Sequence, residues 1–171
     1  VEERLRLTGV QFDELRCDFD AIFIGVGAHK GMKLQIKGED LGGVVDGVDF
    51  LREVNLGNKV DAKGRVVVVG GGNVAMDAAR VSWREGFDEV HVVYRRTKRE
   101  MPASPWEIDA AEHEGIQFQY LVAPVEVLGE NGRMTGLKCI RMELGEPDAS
   151  GRRRPVPKEG SEFVIEAETL I

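Results

Sequence analysis

Gly70, Gly72 and Ala75 follow an unbroken run of four valines, Val66–Val69, and stand at the head of a helix-patterned segment. Each position has a physical task in binding a pyrophosphate. Gly70 allows a tight turn out of a strand. Gly72, without a Cβ, lets a phosphate approach the backbone, and Ala75 is small enough for the helix to pack close to that strand. The first N–H groups of the helix, including those of Gly71, Asn73 and Val74, are then available as donors at the positive end of its dipole. The spacing G-x-G-x-x-A is that of a dinucleotide turn, and its context of strand before and helix after is the one the motif requires. A ligand-free structural turn, and an S-adenosylmethionine or flavin site, stay open at this point.

The second chemical feature lies about 20 residues further on, where a dinucleotide fold that takes NAD carries an Asp or Glu for the ribose 2′-hydroxyl. The chain reads Val92-Val93-Tyr94-Arg95-Arg96, with no carboxylate. A guanidinium forks onto two phosphate oxygens and keeps its charge, so Arg95 and Arg96 fit a 2′-phosphate and point to NADP(H) over NAD(H). Lys98 and Arg99 continue the cationic run, and a solvated basic loop is its plainer reading. Arg152-Arg153-Arg154 has no such anchor and reads as a solvated hairpin excursion.

The elements that must position these residues follow from the pattern. Asp20–Ala28 is a short apolar run closing in glycines and reads as a buried strand entering a turn. Asp46 caps a short helix through Phe50, Leu51 and Val54. Strand 65–69, a helix 74–85 stopped at Gly86, strand 90–94 and a helix begun by Ser104-Pro105-Trp106-Glu107 and stopped at Gly115 form a βαβα unit. That order predicts a parallel sheet with right-handed crossovers. Beyond it come strand-like residues 116–128 interrupted by Pro124, a turn at 129–132, a strand 134–144, a polar excursion 145–160 and a strand 163–171. The expected fold class is α/β, a Rossmann-type parallel sheet with helices on both faces plus an antiparallel β-meander.

Composition narrows the function classes. The chain has 171 residues, 23 Lys and Arg, 30 Asp and Glu, and a net charge of −7, which excludes a broad nucleic-acid platform. Its two cysteines, Cys17 and Cys139, are far apart, so there is no disulfide scaffold, CxxC pair or self-contained metal site. No apolar run reaches the roughly 18–20 residues of a membrane helix. His29, His91 and His113 lack ligand spacing, and Glu112 and Glu114 are read as solvated. No catalytic dyad and no metal are expected.

The stretches FDAIFIGVGAHKG (19–31), GEDLGGVVDGVDFLREVN (38–55), RVVVVGGGNVAMDAAR (65–80), VYRRTKREMPA (93–103) and EGIQFQYLVAPVEV (114–127) resemble the flavin-dependent NADPH reductases typified by the glutamate synthase small subunit. The resemblance implies an NADP(H)-binding domain set into an FAD-binding domain, and the two isolated cysteines fit a reducing, cytoplasmic setting. Residues 1–44 would be a strip of the FAD domain with the crossover, and residues 45–171 the NADP(H) domain. Gly70–Ala75 would take the pyrophosphate and Arg95 and Arg96 the 2′-phosphate, with Lys98 and Arg99 as weaker phosphate candidates. Gly27 and Ala28 would mark the crossover, and Asp77 would be structural or lie near the nicotinamide. Glu168–Ile171 would begin the strand returning to the FAD domain. Hydride would pass between NADPH and FAD and electrons onward to an iron–sulfur partner. Hydride transfer needs stacking and alignment rather than an acid–base pair. The expectation is a fragment that is inactive alone and does not retain FAD. The alternatives are a non-catalytic dinucleotide-sensing domain and a purely structural Rossmann domain.

Overall fold

A computed structural model describes residues 9–25, 31–149 and 151–171. In chain order the elements are α1 (Gly9–Asp18), α2 (Gly47–Asn55), β1 (Arg65–Val69), α3 (Asn73–Glu85), β2 (Glu89–Tyr94), a single 3₁₀ turn (Lys98–Glu100), α4 (Pro105–His113), β3 (Gln117–Tyr120), β4 (Val122–Glu130), β5 (Arg133–Pro147), β6 (Arg153–Glu166) and β7 (Thr169–Leu170). The helices begin and end where their caps stand. The Asp46 carboxylate accepts the N–H groups of Val48 and Asp49, which would otherwise lack partners at the start of α2. Gly86, at φ 99°, closes α3 by donating to the carbonyls of Ser82 and Trp83.

β1, β2, β3 and β7 form one parallel sheet in the order β3-β2-β1-β7. Alternate side chains of a strand point to opposite faces, so a run as uniformly apolar as Val66–Val69 needs cover on both. The two covers differ. Val66, Val68, Val90 and Val92 pack with Phe50, Met76, Ala79, Ile108 and Ala111, so α2, α3 and α4 lie on one face. Val67, Val93 and Leu170 pack with Val127, Met134, Leu137, Cys139 and Ile165 of the antiparallel sheet β4-β5-β6. The fold is therefore the expected α/β architecture with a correction to its second layer, which is the meander rather than helices. Between β3 and β7 the sequence has strand periodicity only, so it can supply only a sheet.

Three other expectations change. Among residues 20–25 there is no strand, and Phe23 is 95% exposed. The apolar run finds no partner strand among the described residues, and its backbone is exposed to solvent. The polar excursion 145–160 is mostly strand, forming the distal arms of a long β5–β6 hairpin. The stretch 163–171 is two strands in two sheets. β6 ends at Glu166, and β7 pairs in parallel with β1, so Thr169–Leu170 adds a strand to the sheet beside β1, under the glycine turn. Leu34, Ile36, Leu41 and Val44 also pack on the second core, and Val45 N–H donates to the Leu170 carbonyl at 2.8 Å.

Candidate functional site

The glycine turn sits at the carboxyl end of β1, where the chain runs outward to β2 and β3 on one side and returns as β7 on the other. This is the switch point at which open parallel sheets bind ligands. Gly70 has φ 151°, and a Cβ there would lie 3.0 Å from that of Ala75, so the turn and the small helix residue are matched. A Cβ on Gly71 would fall 2.5 Å from the Tyr94 ring, which packs under the turn and is anchored by its hydroxyl donating to the Glu100 carbonyl at 2.8 Å. Gly72 is different. A Cβ there would meet only Pro102 Cγ, at 4.0 Å. The space above its backbone is open.

Gly72 caps α3, its carbonyl accepting the N–H groups of Ala75 and Met76. The N–H groups of Gly71, Gly72, Asn73 and Val74 have no acceptor among the described residues. Four neighbouring donors at a helix N-terminus, beneath a glycine with clear space, form a concavity suited to phosphate oxygens. The loop after β2 is laced to this turn. Ala103 N–H donates to Gly71 O at 3.0 Å, and Ser104 N–H to Asn73 Oδ1 at 3.3 Å. That second bond also explains why Ser104 and Glu107, which have capping-box spacing, form no capping box, since the N–H that Glu107 would have taken is already bonded. The box forms instead at Thr97 and Glu100, where it closes the 3₁₀ turn.

The cationic run separates into two kinds. Arg95 and Arg99 are exposed, and neither makes a hydrogen bond or ion pair among the described residues. Arg96 is 5% exposed, with Nε donating to Arg153 O at 2.8 Å and Nη2 to Asp148 Oδ2 at 2.9 Å. Its guanidinium is engaged by the β5–β6 hairpin. Lys98 Nζ lies 2.7 Å from both Asp109 Oδ1 and Glu112 Oε2, and those bonds hold its pKa above the usual lysine value. Arg95, which follows the Tyr94 that packs under the glycine turn, is thus unengaged, whereas Arg96 and Lys98 are committed to other partners.

The remaining candidates are placed as follows. Asp77 is exposed on α3. His91 bridges Glu89 and Gln119 across the sheet, a structural role. Glu114, read as solvated, instead forks with Arg80 and also meets Arg84; these partners lower its pKa below the usual glutamate value, the hydrogen bond to Arg80 most. Glu112 is likewise engaged by Lys98 and by the Tyr120 hydroxyl. Burial pushes the Cys139 thiol up to about 12, which leaves it inert. Gly27, Ala28 and His29 lie outside the described residues. Among the described residues no cluster of three or more His, Cys, Asp or Glu side chains is arranged to hold a metal. Sequence reasoning missed Asp148, for which no motif or spacing gave a signal.

Comparison with known proteins agrees with this geometry. Residues 2–151 match the family described as pyridine nucleotide-disulphide oxidoreductase. The chain is 49% identical over 166 residues to the NADPH-Fe(3+) oxidoreductase subunit beta of Geobacter sulfurreducens, covering 95% of this chain and 25% of that one. It is 48% identical to the NADP(+)-dependent formate dehydrogenase subunit beta of Moorella thermoacetica, covering 95% and 23%. Against the glutamate synthase [NADPH] small chain of Escherichia coli the identity is 41%, covering 95% and 37%. Among solved structures, FprA of Mycobacterium tuberculosis in complex with NADPH superposes with a TM-score of 0.72 at 22% identity, covering 92% of this chain and 50% of that one. The chain thus spans between about a quarter and somewhat over a third of the curated relatives it matches.

Proposed function

The chain belongs to the pyridine nucleotide-disulphide oxidoreductase family, and from that premise we propose that it is the NADP(H)-binding part of a flavin-dependent oxidoreductase. The observation that carries this reading is the conjunction at the switch point. Four unpartnered N–H groups lie beneath an open Gly72, and an exposed Arg95 stands at the end of β2, where a ribose-binding acid would disfavour a 2′-phosphate. The residues fit the cofactor, because a Cβ at Gly72 would fill the space the pyrophosphate needs.

In this reading the N–H groups of residues 71–74 hold the pyrophosphate, and the α3 dipole adds to its binding. Arg95 forks onto the 2′-phosphate, and Arg99 supplies a second, more distant cation. Tyr94 keeps the turn in shape from beneath. When bound, the nicotinamide and flavin supply hydride chemistry between C4 and N5. The protein's share is alignment and exclusion of water.

The whole enzyme extends beyond what this chain carries. We assign residues 1–44 to a strip of the FAD domain and residues 45–171 to the NADP(H) domain. FAD is held mainly by the remainder of the FAD domain, and electrons pass to an iron–sulfur protein or domain, as in glutamate synthase-like enzymes. Gly27 and Ala28 belong to the crossover. Among the described residues no helix is long and apolar enough to cross a membrane, and the proposed setting is the cytoplasm.

Calorimetric titration tests the cofactor assignment. NADPH should bind more tightly than NADH, and Arg95→Ala should remove most of that preference, about 1–3 kcal/mol for a charged hydrogen bond. Equal affinity for the two nucleotides in the unaltered protein would overturn the NADP(H) assignment. Absence of binding heat from either would leave the structural Rossmann reading in its place.

A further inference from the structure

The β5–β6 hairpin reaches the nucleotide loop through the Arg96 side chain. Arg96 follows the exposed Arg95 directly, and both ends of its guanidinium are spent on the hairpin tip, on Arg153 O at 2.8 Å and Asp148 Oδ2 at 2.9 Å. The Arg96 carbonyl accepts Leu121 N–H at 3.0 Å, and Leu121 O accepts Met142 N–H at 2.7 Å, so the same residue is also tied through its backbone to β5. Asp148 shapes the tip as well as receiving the arginine. Its Oδ1 accepts Arg152 N–H at 3.2 Å, and its own N–H donates to Arg152 O at 2.7 Å. The Arg96 side chain is 6% exposed and that of Asp148 23%. A buried pair of this kind adds little net stability but fixes one geometry, because either partner alone would be an uncompensated charge.

We propose that Asp148, acting through Arg96, is a positioning residue that sets the direction of Arg95 and hence the preference for a 2′-phosphorylated dinucleotide. The inference rests on the NADP(H) reading of Arg95. Arg95 and Arg96 form the bend that directly follows β2, so holding Arg96 by both its guanidinium and its carbonyl holds the backbone from which the exposed Arg95 side chain projects. The antiparallel sheet, otherwise only a cover for the core, thereby becomes part of the selectivity apparatus. Arg96 is a latch and not a phosphate ligand.

The test uses the intact protein that carries this chain, with 2′,5′-ADP and 5′-ADP as probes titrated by calorimetry. The unaltered protein should prefer 2′,5′-ADP; if it does not, the NADP(H) reading itself falls, which is a separate failure visible before any variant is made. Asp148→Asn keeps an acceptor for Arg152 N–H but loses the charge. It should lower the preference several-fold while changing 5′-ADP affinity less than twofold. Asp148→Glu should restore part of the preference. Arg96→Ala should give a loss similar to that of Asp148→Asn, and the double substitution no further loss, since both act along one path. General destabilisation would weaken both probes together and leave the ratio unmoved. The proposal is overturned by an unchanged ratio in Asp148→Asn. It is equally overturned if that variant binds 2′,5′-ADP more tightly, because Arg96 released from Asp148 would then be a phosphate ligand.

Discussion

At the scale of single residues, the three glycines of the turn answer to three different constraints, and their substitutions separate accordingly. Gly71 is held by its own protein, since an added methyl would fall 2.5 Å from the Tyr94 ring. Gly71→Ala should therefore destabilise the fold by about 1–3 kcal/mol, the usual range for overpacking. Under the proposed NADP(H) reading, Gly72 is constrained instead by the dinucleotide. Its backbone is extended at φ −93° and ψ 177°, which alanine adopts freely, and its added Cβ meets only Pro102 at 4.0 Å. Gly72→Ala should leave chemical denaturation within ~0.5 kcal/mol of the unaltered protein and yet abolish measurable NADPH binding. Retained binding in Gly72→Ala would show that nothing approaches the backbone there. The motif made Gly70, Gly72 and Ala75 legible in the sequence. The reason for Gly71 was not, because it depends on where the ring of a residue 23 positions later is packed. Arg95 and Arg96 were indistinguishable for the same reason: a run of cations states charge, whereas the direction of each guanidinium is decided by Asp148 and a hairpin carbonyl more than 50 residues away.

At the scale of elements, α3 and α4 are tied across their solvent edge by Arg80, which forks onto both Glu114 oxygens with its shortest bond at 2.6 Å, while Arg84 adds a contact at 3.0 Å. These arginines lower the Glu114 pKa in the folded state, with the Arg80 hydrogen bond the largest cause. The sign follows from linkage. A carboxylate with a depressed folded pKa contributes stability that is complete above its unfolded value and is lost as pH falls through the folded one. Glu114→Gln should therefore cost about 1 kcal/mol at pH 7, and the gap between the two proteins should narrow in urea titrations repeated toward pH 3. A gap that stays constant or widens in acid would remove the ion pair from the account. Where such elements start and stop was largely readable beforehand, from Asp46, Gly86 and Gly115 and from the uniform valines of β1. What could not be read was the sheet to which a strand belongs. Thr169–Leu170 continues the apolar pattern of β6, but it pairs with β1 because Glu168 N–H donates to Arg65 O and Ile171 N–H to Val67 O. The hairpin arms 145–160 were likewise hidden, since both are polar and exposed, and their ladder comes from pairing with each other and not from periodicity.

At the scale of the whole molecule, the apolar surface is uneven. Both faces of the parallel sheet are covered, yet Phe19, Phe23, Ile24 and Met32 are exposed, the second and last at 95%. Exposed apolar side chains of this kind suit a surface that another body covers. Under the proposed domain division its occupant is the remainder of the FAD domain. Two facts support that occupant: the curated relatives are roughly three to four times longer than this chain, and Phe19–Ile24 has strand composition without a strand partner among the described residues. A run with unused backbone donors and acceptors, next to unburied aromatic and aliphatic side chains, is suited to joining a sheet that the rest of the protein provides. The 171-residue chain alone should then associate with itself at high concentration, and Phe23→Ser with Ile24→Ser should reduce that association in light scattering without lowering the denaturation midpoint. In the intact protein the same pair of substitutions should lower the FAD content per chain, read from the flavin absorbance, while 2′,5′-ADP binding at the glycine turn persists, because that turn is built wholly from residues 65–104. Full flavin content in the substituted protein would place the covering body elsewhere.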